Sequence, residues 1–387
     1  MKITKVEIYP LTKLRYKRAF KISRGYVGGP NMKWGFHVLA KIYTDEGIVG
    51  YGEARPNNPH QHETTWSVTA ALERFYGPTL IGKDPFDLEN INYEFDALLP
   101  ENYHARTVVD FALHDLMGKA VGKPVYSLIG GLYHDRVPIK IPVSQGNTKE
   151  MVEESLRIIE ETGCKYLKIK IGQPERIEQD IANVVAIRKA VGDEVKIQVD
   201  ANAGYKLISD ALKILRRLEE YDIALIEQPM PKWDIQGMAE LTKKLDTPIL
   251  ADESVFSQYD AMRIVKENAA DVINIKMPKA GGIFGAKRIA HIAEAAGLKV
   301  FIGSTTETGV GSAGGVHFYA STPNVWPYAA CLFGTYMLVD NMLTEDTTFK
   351  FKDGCVQVPK GPGLGVEVND EALKKYCENV ITVTEGL

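Results

Sequence analysis

Apolar runs of strand length alternate with longer amphipathic stretches along most of the chain. From residue 131 onward, each run is followed by apolar positions three and four residues apart, the spacing of a helix packed on one face. This unit recurs about every 25 residues and implies right-handed βαβ connections in a parallel sheet. The predicted strands are Val137–Val143, Tyr166–Ile171, Val195–Val199, Ile223–Ile226, Pro248–Ala251, Asp271–Ile275, Lys299–Ile302 and a weaker eighth, Val325–Ala330.

Eight such units can close on themselves into a (β/α)8 barrel, which needs about 250 residues. The alternative is an open doubly wound sheet, which carries a glycine-rich phosphate loop after its first strand. The residues that follow the first predicted strand here, Ser144-Gln145-Gly146-Asn147, do not match such a loop. The pattern therefore predicts an α/β fold of the TIM-barrel type.

The first 130 residues follow a different pattern. Strand periodicity in Lys2–Tyr9 and Phe36–Thr44 gives way to helical periodicity from His62, most clearly in Ala105–Val121. This order predicts an α+β domain in which helices pack on a sheet.

The end of the chain leaves the βα rhythm near Thr344. Its Lys360–Val366 segment has the glycines and proline of a turn followed by a strand, and we expect it to return to the N-terminal domain. The predicted division is residues 1–130 for the N-terminal α+β domain, 131–343 for the barrel and 344–387 for the returning segment.

Composition places the 387-residue chain among ordinary globular proteins, with 45% hydrophobic and 25% charged residues. The 46 basic and 50 acidic residues leave a net charge of −4, which argues against nucleic acid or an anionic membrane as a partner. No apolar run is long enough to span a bilayer, the N-terminus lacks a signal-peptide core, and the four cysteines have no paired spacing. We therefore expect a cytoplasmic protein.

Charged residues end five consecutive predicted barrel strands. They are Lys170, Asp200, Glu227, Asp252 and Lys276, at intervals of 30, 27, 25 and 24 residues. Each interval is one βα unit, so the five side chains should recur at one height on the rim where barrel enzymes place their active sites. Solvated lysines and aspartate N-caps are the structural alternatives, but five such ends in a row favour a site.

The signs of these charges suggest a chemistry. Three carboxylates on adjacent strands form an oxygen-only site suited to Mg²⁺, with Mn²⁺ as the alternative ion. Lys168 and Lys170 point to the same face, and crowding with a metal should lower a lysine pKa enough for it to act as a base. A metal could hold a substrate carboxylate and stabilise an enediolate while a lysine moves the α-proton.

Five motifs in order carry a resemblance to a known family. They are Lys168-x-Lys170, Val199-Asp200-Ala201-Asn202, Ile226-Glu227-Gln228-Pro229, Ala251-Asp252-Glu253-Ser254 and Asn274-Ile275-Lys276. Together they resemble the muconate lactonizing enzyme subgroup of the enolase superfamily, whose sites combine a lysine or histidine base with Mg²⁺. The resemblance covers essentially the whole chain and implies a modified (β/α)7β barrel with an N-terminal capping domain completed by the C-terminal segment.

The resemblance also implies roles for individual residues. Asp200, Glu227 and Asp252 would be the metal ligands, and Lys170 and Lys276 the two acid/base groups. Lys168 would assist Lys170 and the substrate carboxylate. Family members are commonly homo-oligomers, so we expect one here.

Further positions resemble the family's substrate-facing residues. Cys331-Leu332-Phe333-Gly334 is similar to the Glu-Leu-Phe-Gly stretch of muconate lactonizing enzymes, with cysteine in place of glutamate. The Asp-x-Asp pair that dipeptide epimerases use near strand eight is absent, which counts against a dipeptide substrate. Two cap loops, Arg24–Pro30 and Arg55–His60, would close over the substrate unless they are ordinary surface loops. The predicted substrate-binding residues are Lys168, Asn202, Ser304, Glu307, Tyr26 and His60.

The expected function is metal-dependent abstraction of a proton α to the carboxylate of a small molecule, in a muconate-cycloisomerase-like isomerase. A racemase or epimerase of N-acylated or N-modified amino acids is the near alternative, with an acid dehydratase beside it. Outside this chemistry, the barrel could be a Schiff-base aldolase or a non-catalytic binding protein.

Overall fold

The computed structural model describes residues 1–12, 14–22, 36–56 and 61–387, together with the backbone of residues 25–28. It has an N-terminal α+β domain and a closed parallel barrel, as predicted. Among the described residues, no helix has the length and apolar character needed to cross a membrane.

The N-terminal domain is built on an antiparallel sheet and a group of helices. Its strands are β1 (Ile3–Leu11), β2 (Phe20–Ile22), β3 (Gly25–Gly28), β4 (His37–Thr44) and β5 (Val49–Ala54). Its helices are α1 (Thr65–Ala71), α2 (Gly77–Leu80), α3 (Leu88–Leu98), α4 (Tyr103–Ala120) and α5 (Val125–Leu128), with a π-helical turn at Leu72–Tyr76. Strands β2 and β3 form a separate two-stranded hairpin, which contains part of the predicted Arg24–Pro30 loop.

Helix α4 packs against β5 so closely that glycine is required between them. A Cβ on Gly52 would lie 1.8 Å from the carbonyl oxygen of Val108. The opposite side of α4 reaches the barrel, where Asp110 accepts a hydrogen bond of 2.6 Å from the backbone N–H of Ile283. This helix therefore fixes the N-terminal domain on the barrel.

The barrel contains eight parallel strands that alternate with helices, and its last strand pairs with its first. Its strands are β6 (Arg136–Val143), β7 (Tyr166–Lys170), β8 (Lys196–Asp200), β9 (Ile223–Glu227), β10 (Ile249–Ala251), β11 (Val272–Ile275), β12 (Lys299–Ile302) and β13 (Val325–Cys331). Its helices are α6 (Thr148–Thr162), α7 (Ile177–Val191), α8 (Ile208–Glu219), α9 (Ile235–Lys244), α10 (Gln258–Glu267), α11 (Met277–Ala280), α12 (Gly282–Ala295), α13 (Gly309–Ala320) and α14 (Phe333–Met337), with a 3₁₀ turn at Pro174–Arg176. All eight predicted strands are present. Most of their apolar side chains pack with those of the surrounding helices in the largest hydrophobic core, whereas Leu225, Leu250, Val272 and Phe301 form a separate cluster.

The C-terminal segment contacts the N-terminal domain at two places, one of which is the predicted stretch Lys360–Val366. Its elements are a 3₁₀ turn at Glu345–Thr347, β14 (Cys355–Gln357), α15 (Asp370–Tyr376) and β15 (Ile381–Val383). The predicted strand within Lys360–Val366 is wrong, because this stretch makes only a single bridge, between Gly363 and Pro124. Instead β15 completes the antiparallel sheet beside β1. The boundaries at residues 130 and 343 stay predictions.

Candidate active site

The charged strand ends lie next to one another on the rim of the barrel. Lys170, Asp200 and Glu227 are the last residues of β7, β8 and β9, and strand register pairs Lys170 with Asp200 and Asp200 with Glu227. Asp252 and Lys276 directly follow β10 and β11. These five charged residues, spaced one βα unit apart in the sequence, therefore form a continuous row across five neighbouring strands.

Asp200 and Glu227 are buried and share one lysine. Nζ of Lys168 lies 3.0 Å from Oδ2 of Asp200 and 2.6 Å from Oε2 of Glu227. Asp200 Oδ2 also accepts a 2.6 Å hydrogen bond from Lys170, and Glu227 Oε1 accepts one of 2.9 Å from the side-chain amide of Asn274. An ammonium group therefore bridges the two carboxylates.

Asp252, the third carboxylate, lies between two other lysines. Its Oδ2 accepts a 2.5 Å hydrogen bond from Lys276, and its Oδ1 lies 3.0 Å from Nζ of Lys279. Lys279 also donates to the backbone carbonyl of Asp252. Four lysines and three carboxylates thus form a compact buried charge cluster.

This cluster shifts the pKa values of its members. Burial alone would raise the pKa of Asp200, but Lys168 and Lys170 hold it below its ordinary value. Lys276 and Lys279 do the same for the pKa of Asp252. Burial opposes the charged form of Lys168 and of Lys276, yet the carboxylates raise the pKa of both lysines. The lowered lysine pKa predicted from the sequence is that of a site containing a metal ion, and it stays a prediction.

The donor chemistry of the three carboxylates fits a hard divalent cation. Their oxygens are buried, and Oδ1 of Asp252 accepts no hydrogen bond within the described part of the chain. Among the residues described here, no three His, Cys, Asp or Glu side chains converge on one point, and ammonium groups contact all three carboxylates. The same oxygens can bind either an ammonium group or a metal ion, because both supply positive charge to a carboxylate.

A small cavity of about 50 Å³ opens above the charge cluster. It is lined by Lys168, Lys170, Asn202, Lys276, Ser304, Thr305 and Thr306 on its polar side and by Phe20, Ile22, Pro142, Cys331 and Phe333 on its apolar side. Five of the predicted site residues, the three lysines with Asn202 and Ser304, therefore meet around one space.

Of the predicted substrate contacts that the structure describes, Glu307 is the one that does not line this cavity. Glu307 is buried beside it, but its carboxylate accepts hydrogen bonds from the side chain of Ser304 at 2.5 Å and from the backbone and hydroxyl of Thr305 at 2.6 and 2.7 Å. It stabilises the turn that presents Ser304 rather than lining the cavity itself. His60 and the side chain of Tyr26 lie outside the described residues.

Asn202 connects Lys170 to a fourth acidic residue. Its side-chain oxygen accepts a 2.8 Å hydrogen bond from Lys170, and its amide donates one of 3.1 Å to Glu253. Burial and the neighbouring Asp252 raise the pKa of Glu253 to about 7. Asn202 has a positive φ of 46°, a conformation that asparagine tolerates better than most residues.

Sequence reasoning missed a layer of polar residues beneath the site. Lys140 donates a 3.0 Å hydrogen bond to Gln198, and Gln198 in turn donates to Glu227. Nζ of Lys140 lies 3.8 Å from the ring centroid of Phe301, and burial together with Lys168 lowers its pKa well below its ordinary value. The sequence did contain a signal, because Lys140 and Gln198 are each a polar residue in the middle of a largely apolar predicted strand.

Two family models match most of the chain. Residues 11–130 match the N-terminal domain of mandelate racemase and muconate lactonizing enzyme, and residues 150–372 match the enolase C-terminal domain-like model.

Three relatives have different activities. N-succinyl-L-Arg/Lys racemase of Bacillus cereus is 34% identical over 97% of this chain and 98% of its own, and its crystal structure superposes with a TM-score of 0.92 over 99% of this chain and 100% of that one. Muconate cycloisomerase 1 of Rhodococcus opacus is 32% identical over 88% of this chain and 91% of its own. A dipeptide epimerase of Enterococcus faecalis, solved with Mg and the dipeptide L-Leu-L-Tyr, is 34% identical, with a TM-score of 0.88 over 95% of this chain and all of that one.

Two matched domains, relatives of similar length and the row of charged strand ends lead to one assignment. The chain belongs to the mandelate racemase and muconate lactonizing enzyme family of the enolase superfamily, and it is an enzyme of the isomerase type.

Proposed function

We propose that this protein is a divalent-metal-dependent racemase of N-acylated amino acids. One observation carries the proposal: Lys170 and Lys276 line the same cavity from opposite sides of the barrel. Lys170 ends β7 and Lys276 follows β11, and strands four positions apart in a ring of eight face each other. A planar intermediate between two such lysines can be protonated from either face, which is the geometry that 1,1-proton transfer requires.

Asp200, Glu227 and Asp252 would hold the metal, which we propose to be Mg²⁺ with Mn²⁺ as a substitute. When bound, the ion supplies positive charge that holds the substrate carboxylate and stabilises the negative charge formed as the α-proton leaves. The Mg-containing epimerase relative and the oxygen-only donor set support this assignment.

The chain's own residues carry the proton. For one enantiomer, the uncharged amine of Lys170 accepts the α-proton as the C–H bond breaks, and the ammonium of Lys276 delivers a proton to the opposite face. For the other enantiomer the two lysines exchange roles. Lys168 keeps its charge, because it lies between Asp200 and Glu227, and it faces the substrate carboxylate.

The walls of the cavity support an N-acylated substrate. No carboxylate is among the described residues that line it, so a substrate with a free ammonium group would lose its hydration without gaining a partner. Acylation removes that charge. The Asp-x-Asp pair expected of dipeptide epimerases is also missing from the sequence.

A muconate-type cycloisomerase is the second candidate. The Leu332-Phe333-Gly334 stretch favours it, and Phe333 lines the cavity. Cys331 counts against it, because it stands where muconate lactonizing enzymes have glutamate. A Schiff-base aldolase is disfavoured by kinship with racemases, epimerases and cycloisomerases.

The test is exchange of the α-hydrogen in D₂O with Mg²⁺, followed by NMR over a set of N-acylated L- and D-amino acids. Wild type should exchange and interconvert both enantiomers. Lys170→Ala should exchange only one enantiomer and Lys276→Ala only the other, while the surface variant Lys243→Ala behaves as wild type. Loss of the same enantiomer in both variants would contradict racemisation, and turnover of cis,cis-muconate without α-exchange would identify the cycloisomerase.

A further inference from the structure

A chain of buried side-chain hydrogen bonds runs from strand β6 through β8 to Glu227 at the end of β9. Nζ of Lys140 donates to Oε1 of Gln198 at 3.0 Å, and Nε2 of Gln198 donates to Oε2 of Glu227. All three side chains are fully buried. We call Lys140 and Gln198 the supporting pair.

The supporting pair lies inside the barrel, one layer below the cavity above the charge cluster. Lys140 is two residues before Pro142, which lines that cavity, and Gln198 is two residues before Asp200. Residues two apart on a strand point to the same face. Neither member of the pair is among the described residues that line the cavity. The pair therefore acts on the site through another side chain, and Gln198 contacts Glu227.

The amide of Gln198 satisfies both of its neighbours in one orientation. The carboxylate of Glu227 only accepts hydrogen bonds, so the NH₂ end of the amide faces it and the carbonyl end faces away. That carbonyl oxygen is buried, and a buried acceptor without a donor is costly. Nζ of Lys140 is its donor. Lys140 therefore keeps the NH₂ group of Gln198 directed at Glu227.

Glu227 is held from two sides by amide groups of the chain. Gln198 donates to Oε2 from β8, and the side chain of Asn274 donates to Oε1 from β11 at 2.9 Å. One donor on each oxygen fixes the rotation of the carboxylate group. A carboxylate oxygen can accept more than one contact, and Nζ of Lys168 already lies 2.6 Å from Oε2. The fixed carboxylate therefore still offers its oxygens to a cation.

We propose that Lys140 and Gln198 are positioning residues, which orient Glu227 to bind the divalent metal ion together with Asp200 and Asp252. The inference rests on the metal site of the proposed function and not on the reaction at that site. Because the pair holds Glu227 in place in advance, it raises the affinity of the chain for the ion. Side chains that hydrogen-bond to metal ligands typically change metal affinity by about 10- to 100-fold.

The experiment is a titration of the full chain with Mn²⁺, in which electron paramagnetic resonance measures the free ion and no substrate is needed. We expect Gln198→Leu and Lys140→Met each to raise the Kd for Mn²⁺ by about 10-fold or more. The double variant should raise the Kd no further than Gln198→Leu alone, because Lys140 acts through Gln198.

Val272→Ala is the matched control for a general loss of core stability. Val272 is fully buried in the apolar cluster of the barrel and takes no part in the hydrogen-bond chain. Urea unfolding should show that this variant is less stable than wild type, while its Kd for Mn²⁺ stays that of wild type. An equal rise in Kd for Val272→Ala would overturn the positioning role, because the effect would then be one of core stability.

The α-hydrogen exchange assay, run beside the titration, separates this inference from the racemase. If both single variants bind Mn²⁺ as wild type does, or if their effects on Kd multiply in the double variant, the positioning role is overturned and the racemase stands. If the variants bind Mn²⁺ more weakly but wild type exchanges no α-hydrogen, the racemase is overturned and the positioning role stands. A wild-type chain that binds no Mn²⁺ overturns both.

Discussion

Nζ of Lys276 lies 2.5 Å from Oδ2 of Asp252, and Lys276 lines the cavity above the charge cluster. On the other side of the same carboxylate, Lys279 is buried and takes no part in the cavity wall. The two lysines carry equal charge next to one carboxylate, but only one can reach a substrate. They therefore provide a matched pair for separating catalysis from stability.

We expect Lys276→Met to lower the rate of α-hydrogen exchange by about 10²- to 10⁴-fold, the loss typical of a general acid or base. Lys279→Met should instead lower the free energy of unfolding by about 3–5 kcal/mol, because it breaks a fully buried ion pair. Urea unfolding and the exchange assay on both variants check this. A larger stability loss in Lys276→Met than in Lys279→Met would contradict the assignment.

Lys140 and Lys168 provide a second comparison beneath the site. Lys168 pairs with two carboxylates, whereas Lys140 contacts Gln198 and the ring of Phe301. We expect Lys168→Met to cost about 3–5 kcal/mol of unfolding free energy in metal-free protein.

Lys140→Met should lower the free energy of unfolding by no more than about 2 kcal/mol. It removes one hydrogen bond to Gln198, but it also removes the desolvation cost of a buried amine. Urea unfolding of both variants with EDTA present measures the difference. Equal losses would mean that Lys140 is as firmly ion-paired as Lys168.

Metal removal should separate activity from folding. Because lysines already neutralise Asp200, Glu227 and Asp252, the chain should stay folded in EDTA. Added Mg²⁺ should restore exchange and, at 100 times its Kd, raise the free energy of unfolding by about 2.7 kcal/mol. Circular dichroism and the exchange assay follow both effects, and activity that survives EDTA would exclude a metal role.

His317 should make the protein sensitive to acid. Its buried ring accepts a hydrogen bond from the backbone N–H of Tyr126 at 3.3 Å and contacts the carbonyl of Leu364 at 3.0 Å, a pairing that fits only the neutral imidazole. Burial lowers its pKa from 6.5 to about 4. Since the unfolded chain takes up this proton first, its contribution is fully present above pH 6.5 and is lost as the pH falls toward 4.

Acidification toward pH 4 should therefore lower the free energy of unfolding by about 3 kcal/mol through His317 alone. Urea unfolding of wild type at pH 7 and pH 4.5 should show the decrease. His317→Gln should be less stable than wild type at pH 7 but should lose less unfolding free energy on acidification. Other titrating groups such as His114 are common to both proteins, so they do not account for this difference. Parallel losses in the two proteins would contradict the role of His317.

The sequence predicted the barrel strands well, because a parallel strand buried on both faces needs a continuous apolar run. It failed at Lys360–Val366, where a glycine-rich turn is held by contacts from distant residues: Asp115 on α4 accepts the backbone N–H of Leu364 at 2.8 Å. The local pattern of apolar and polar residues cannot reveal a hydrogen-bond partner that is distant in sequence. Glu307 illustrates the same limit, because its two neighbours Ser304 and Thr305 occupy its carboxylate and remove it from the cavity.

The sequence by itself determined which residues share the rim, since one charged side chain per βα unit must return to the same height in a closed barrel. It could not determine what those charges do to one another. Only the tertiary structure brought four lysines against three carboxylates, and these carboxylates raise the pKa of Lys168 and of Lys276. Likewise, only the tertiary structure shows that Nε2 of the buried Gln145 has no hydrogen-bond acceptor among the described residues. The order of residues along the chain determines which side chains lie on the rim of the barrel. Their pKa values and hydrogen bonds depend on distances of a few ångströms between segments far apart in sequence.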